Sequence, residues 1–94
     1  MDRVLIGDTV VFTFVHSATP ASTINLSIFD GAETLVSSKY AVDSGDSLHW
    51  YALEYFDPGS YSLDAYYSVQ FDATIGDNKY RRKMKIRVVK DGVD

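Results

Sequence analysis

The stretch LHWYALEYFDPGSYSL (residues 48–63) sets five aromatic side chains around a single turn. Before Asp57-Pro58-Gly59 the residues alternate as in a strand, and from Tyr61 the alternation resumes. Gly59 suits a tight turn, because it reaches conformations closed to other residues. The alternation on both flanks therefore predicts two strands joined by this turn.

A period of two recurs on both sides of this segment. TVVFTFVH (9–16) puts Val10, Phe12, Phe14 and His16 on one face, the mark of a half-buried strand. Gly7-Asp8 before it marks a bend after a short leading strand, Arg3 to Ile6. INLSIF (24–29) aligns Ile24, Leu26 and Ile28, and Asp30-Gly31 ends it with a hairpin-type signal. ETLVSSKYAV (33–42) is more polar and reads as an edge strand. YSLDAYYSVQF (61–71) directs Tyr61, Leu63, Ala65, Tyr67, Val69 and Phe71 inward, with Tyr66 and its parity outward. After the turn IGDN, KYRRKMKIRVV (79–89) returns with Met84, Ile86 and Val88 inward. No segment has a helical period. The expectation is an all-β chain: one antiparallel β-sandwich of about seven strands, a single domain over 1–94.

The pattern Leu48-x-Trp50-x-x-Leu53-x-x-x-Asp57-x-Gly59-x-Tyr61-x-Leu63 resembles the E-to-F segment of immunoglobulin (Ig-like) domains. The resemblance implies that Leu48 and Trp50 enter the core and that Leu53 closes its base. It makes Gly59 a turn residue with positive φ, and Tyr61 a tyrosine corner whose hydroxyl returns to backbone a few residues upstream. It also places Leu63 and Phe14 at the two positions the family gives to its disulfide, with Leu26 near that of the core tryptophan. The chain has no cysteine. A disulfide contributes about 2–4 kcal/mol. A Phe14–Leu63 contact would replace it by burial, at ~1.5–3 kcal/mol per side chain. A cysteine-free Ig-like domain of this size is similar to the small stand-alone Ig-like proteins of tailed-bacteriophage virions. That similarity implies other virion proteins and copies of the chain itself as partners, and a place in the virion after folding in the host cytoplasm.

The start, MDRVLIGDTV, has neither a signal-peptide pattern nor a membrane-spanning run. Net charge is −4, and it is unevenly divided. Residues 1–78 hold two bases and eleven acids, net −9, whereas residues 79–94 hold seven bases and two acids, net +5. Along the last strand Arg81, Lys83, Lys85 and Arg87 share the outward face. An acidic chain argues against nucleic acid. The stripe reads instead as strand-edge protection paired with Asp64 and Ser62, or as a docking face for an acidic partner. Outward Tyr51 and Tyr66 suit contact roles with protein or glycans.

Catalytic and metal signals are weak. GDSLH (45–49) matches the nucleophile block of GDSL esterases at Ser47, but that fold is about twice as long and needs a late Asp-x-x-His that is absent. His16 and His49 have no ligand-like spacing, and Asp43, Asp46, Asp57, Asp77 and Asn78 read as turn residues with no calcium-loop pattern. The expected function is therefore non-catalytic, without cofactor or metal. The resemblance implies the role of a structural subunit of a tailed-phage virion: a capsid decoration, cement, or neck or tail accessory protein. The alternative is a carbohydrate-binding or adhesion module.

Overall fold

The computed structural model of the chain describes residues 2–15, 23–45, 49–75 and 77–90. Leu48, His16, Asp46 and Ser47 lie outside the described residues. Among these residues the regular structure is all strand: β1 (Asp2–Leu5), β2 (Thr9–Val15), β3 (Thr23–Phe29), β4 (Leu35–Tyr40), β5 (Val42–Asp43), β6 (His49–Tyr55), β7 (Tyr66–Ile75) and β8 (Asn78–Val89). They form two sheets, β1-β8-β7-β3-β4 and β2-β6-β5. Among the described residues no helix is long and apolar enough to cross a membrane.

Period-two patterning explains how the layers close. Ile24, Leu26, Ile28, Val69, Ile86 and Val88 are fully buried on the inner face of the larger sheet. Phe12, Phe14, Trp50 and Ala52 meet them from the smaller one. Each of the larger side chains contributes roughly 1.5–3 kcal/mol by leaving water. Phe56 and Tyr61 of the quoted stretch join Phe12 and Tyr67 in a chain of rings through this core. Phe12 packs on Phe56 at 6.2 Å between ring centroids, Phe56 on Tyr61 at 4.5 Å, and Tyr61 edge-on to Tyr67 at 5.0 Å. The turn is built by Asp57, whose Oδ1 accepts from Gly59 N at 2.9 Å and whose carbonyl accepts from Ser60 N and Tyr61 N.

The strand count and pairing differ from the sequence reading in two ways. The polar segment 33–42 is split between the sheets, as β4 on the edge of one and β5 in the other. The chain crosses over at Ala41, whose N–H donates to Ile24 O at 2.8 Å. Among the described residues the sandwich thus has eight strands. It is also not wholly antiparallel, because β1 runs parallel to β8, with Asp2 opposite Ile86 and Leu5 opposite Val89.

Four assignments made by resemblance are corrected. Leu53 faces outward and is 49% exposed. Strict alternation from Trp50 sends Ala52, Glu54 and Phe56 inward, and Phe56, fully buried, closes the base. Leu63 is 50% exposed, because it sits in a turn completed by Asp64 at φ 61° that breaks the alternation before β7 begins. The partner of Phe14 is instead Phe71, at 5.5 Å. Gly59 is not among the positive-φ glycines, which among the described residues are Gly7 and Gly45. Tyr61 is buried at the bend, but its hydroxyl donates to the Glu54 side chain and not to backbone.

Glu54 is a buried carboxylate on the inner face of the smaller sheet. Its Oε2 accepts from Tyr61 at 2.6 Å, and its Oε1 accepts from Ser37 Oγ at 3.1 Å and pairs with Lys39 Nζ at 2.7 Å. Lys39 also donates to Leu53 O at 2.6 Å. Buried charge is tolerated when its acceptors are filled, and here three donors fill them. The result is a polar clasp between β6 and edge strand β4.

Candidate functional site

The outward face of the larger sheet is a polar grid ruled by register. Tyr40, Asn25, Asp72 and Arg81 lie in one row, and Ser38, Ser27, Gln70 and Lys83 in the next. Then come Leu35, Phe29, Ser68 and Lys85, with Tyr66 beside Arg87 in the last. Because β8 residues share parity, Arg81, Lys83, Lys85 and Arg87 form the basic column expected from the sequence. β1 pairs only with Ile86–Val89, so among the described residues the earlier part of β8 has a neighbour on the β7 side alone.

The column is not uniformly available. Arg81 Nε holds Asp72 Oδ1 at 2.8 Å, and Gln70 donates to Asp72 Oδ2 at 2.7 Å. Partial burial works to raise the Asp72 carboxyl, but these donors and the charges of Arg81 and Lys83 outweigh it and hold the group below the usual carboxylate range. Arg87 pairs with Asp64 at 3.0 Å and lies 6.0 Å from the Tyr66 ring centroid. Lys83 and Lys85 are exposed and take part in neither pair. Arg82 has the opposite parity, and its guanidinium lies over the Phe14 ring, 5.3 Å from its centroid. At the far end of the grid a depression of ≈ 520 Å³ is lined by Asn25, Tyr40, Asp72, Tyr80 and Arg81 among others.

Tyr51 does not join this face. It projects from the smaller sheet, opposite Thr13 and Val42, on the other side of the sandwich from Tyr66. The surface around it was not anticipated. Val11, Val15, Val42, Tyr51, Leu53 and Tyr55 are all between 37% and 56% exposed there. The signal lies in TVVFTFV and HWYALEY, which are apolar on both parities, a pattern belonging to sheets covered on both faces.

The chemical candidates stay dispersed. His49 is exposed on the same outer face. Asp43 and Asp57 are turn acids accepting backbone N–H bonds from Gly45 and Gly59. Among the described residues no group of three His, Asp or Glu side chains is placed to hold a metal ion.

No family model matches the chain. No curated protein matches it either. Among solved structures, the chain is similar to an engineered protein determined at 1.98 Å by the Northeast Structural Genomics Consortium, with a TM-score of 0.75 and 17% identity. The match covers 94% of this chain and 18% of that one. At that identity the likeness concerns the fold alone: the β-sandwich occurs there within a much longer polypeptide.

Proposed function

We propose that the chain is an immunoglobulin-like, non-catalytic assembly subunit of a tailed-phage virion. In this reading it docks through the β8 column on an acidic neighbour. Topology supports the Ig-like part: β2-β6-β5 facing β8-β7-β3-β4 follows the order B-E-D against G-F-C and its extra strand in immunoglobulin domains. The single observation that carries the docking surface is the pair Lys83 and Lys85. They are exposed and outside the ion pairs beside them, on a face of a domain whose first 78 residues carry net −9. Such a face steers acidic partners and rejects basic ones.

The test is Lys83→Glu with Lys85→Glu, leaving Arg87 and its structural pair intact. Wild type should co-sediment with purified particles of the phage or prophage that encodes it, and the double variant, folded by circular dichroism, should not. Equal incorporation of both would remove the β8 face from the contact. Absence of wild type from the particles would remove the virion.

One observation favours glycan binding as a second reading: the depression beside Tyr40 and Tyr80 combines tyrosines with amide, carboxylate and guanidinium groups. Tyr40→Ala should then abolish retention on immobilised polysaccharide. No retention of wild type on a broad glycan panel would discard this reading.

A further inference from the structure

We propose that the outward face of the smaller sheet is a homotypic interface, on which two copies pack β2-β6-β5 against β2-β6-β5. The register makes the face continuous. Val11 lies opposite Leu53, Thr13 opposite Tyr51 and Tyr51 opposite Val42, while Thr9 and Tyr55 flank one end and Val15 and His49 the other. The inner parity of the same strands already fills the core with Phe12, Phe14, Trp50 and Ala52, so packing within the monomer does not account for the outer set.

Two features select a second copy as the occupant. First, the outward parity of β2 and β6 reads Thr9, Val11, Thr13, Val15, His49, Tyr51, Leu53, Tyr55, with no carboxylate, ammonium or guanidinium. The nearby Lys39 ammonium is held by Glu54 and the Leu53 carbonyl. A charged partner finds no counter-charge here, whereas an identical neutral face meets its copy without like-charge repulsion despite the net −4 of each chain. Second, the area fits. The six large side chains expose roughly 500 Å², near the upper bound for a patch left on a monomer. With the threonines and rim the face approaches the ~800 Å² per partner of a standard interface. Flat sheet faces pack on one another at about 10 Å separation, as they do inside a sandwich.

A functional consequence rests on the reading given under Proposed function: the two sheets of one sandwich look in opposite directions. A pair joined through the smaller sheets turns its two β8 columns outward and away from each other, making a bivalent cross-link.

The experiment is sedimentation equilibrium on the full chain, whose mass is 10.5 kDa. Wild type should sediment at twice that mass and stay so in 1 M NaCl, and Leu53→Asp should sediment as the monomer. Val11→Thr with Leu53→Thr, which keeps strand propensity, should weaken the dimer at least tenfold if Leu53→Asp fails to fold. The chain has no cysteine, so Thr13→Cys gives an independent readout. It should cross-link to a dimer under mild oxidation, while Ser68→Cys on the opposite face should not. Lys83→Glu with Lys85→Glu should leave the dimer intact, separating this inference from the docking of β8. A monomeric wild type at millimolar concentration, a dimer undisturbed by Leu53→Asp, or equal cross-linking from both cysteines would overturn it.

Discussion

The Tyr61 hydroxyl donates to Glu54 Oε2 at 2.6 Å, seven residues back along the chain, with both side chains buried. This bond carries the bend after β6 in place of a return to backbone. It also supplies one of the three donors that make a carboxylate tolerable between the sheets.

Deleting either partner should therefore cost more than the bond itself. Tyr61→Phe keeps the ring packed on Phe56 and Tyr67 but leaves Glu54 Oε2 short of a donor, an expected loss of about 1–3 kcal/mol. Glu54→Ala removes the acceptor and releases Lys39 towards solvent. The double variant should lose less than the sum, with a coupling of ~0.5–3 kcal/mol, read from urea unfolding of the four proteins. Additive losses would mean the two groups act independently.

The same contact gives a pH signature. Burial, then the hydrogen bond to Glu54 and the charge of its carboxylate, push the Tyr61 phenol well above its ordinary value. An unfolded chain ionises this phenol near pH 10, while the folded one keeps its proton. The stabilisation is thus fully present below about pH 10. Above it stability falls by up to ~1.4 kcal/mol per pH unit for this group. Urea midpoints at pH 8, 10 and 11 should drop more steeply for wild type than for Tyr61→Phe; parallel curves would remove Tyr61 from the alkaline response.

Much of this architecture was legible because alternation is local. Trp50 inward, Phe14 inward and Tyr61 at the bend all follow from spacing within a few residues. Leu53 and Leu63 were misplaced for different reasons. The family spacing assigns Leu53 to the base of the core, whereas Glu54 takes an inward position because Tyr61, Ser37, 17 residues earlier, and Lys39 fill its acceptors. No local pattern reports that clasp. Leu63 fails because one left-handed residue, Asp64, resets the parity, and no glycine marks the place. The basic column was read correctly along β8, yet Tyr51 was grouped with Tyr66, since sequence parity does not say which sheet a strand joins. The apolar outer face was visible in the doubled hydrophobic parity of TVVFTFV, a signal easily taken for core strength alone.

Removing Leu63 from the core makes a sharp comparison with Phe71. Phe71 is 4% exposed and packs on Phe14 at 5.5 Å, and Arg82 covers Phe14 at 5.3 Å from the ring centroid. Truncating Phe71→Ala opens a cavity between the sheets and should cost about 3–5 kcal/mol. Leu63→Ser changes a half-exposed turn residue and should shift stability by no more than ~0.5 kcal/mol. Thermal or urea unfolding of the two variants decides between the position that immunoglobulin domains give to cysteine and the one this chain uses, eight residues further on. A Leu63→Ser loss as large as that of Phe71→Ala would return Leu63 to the core.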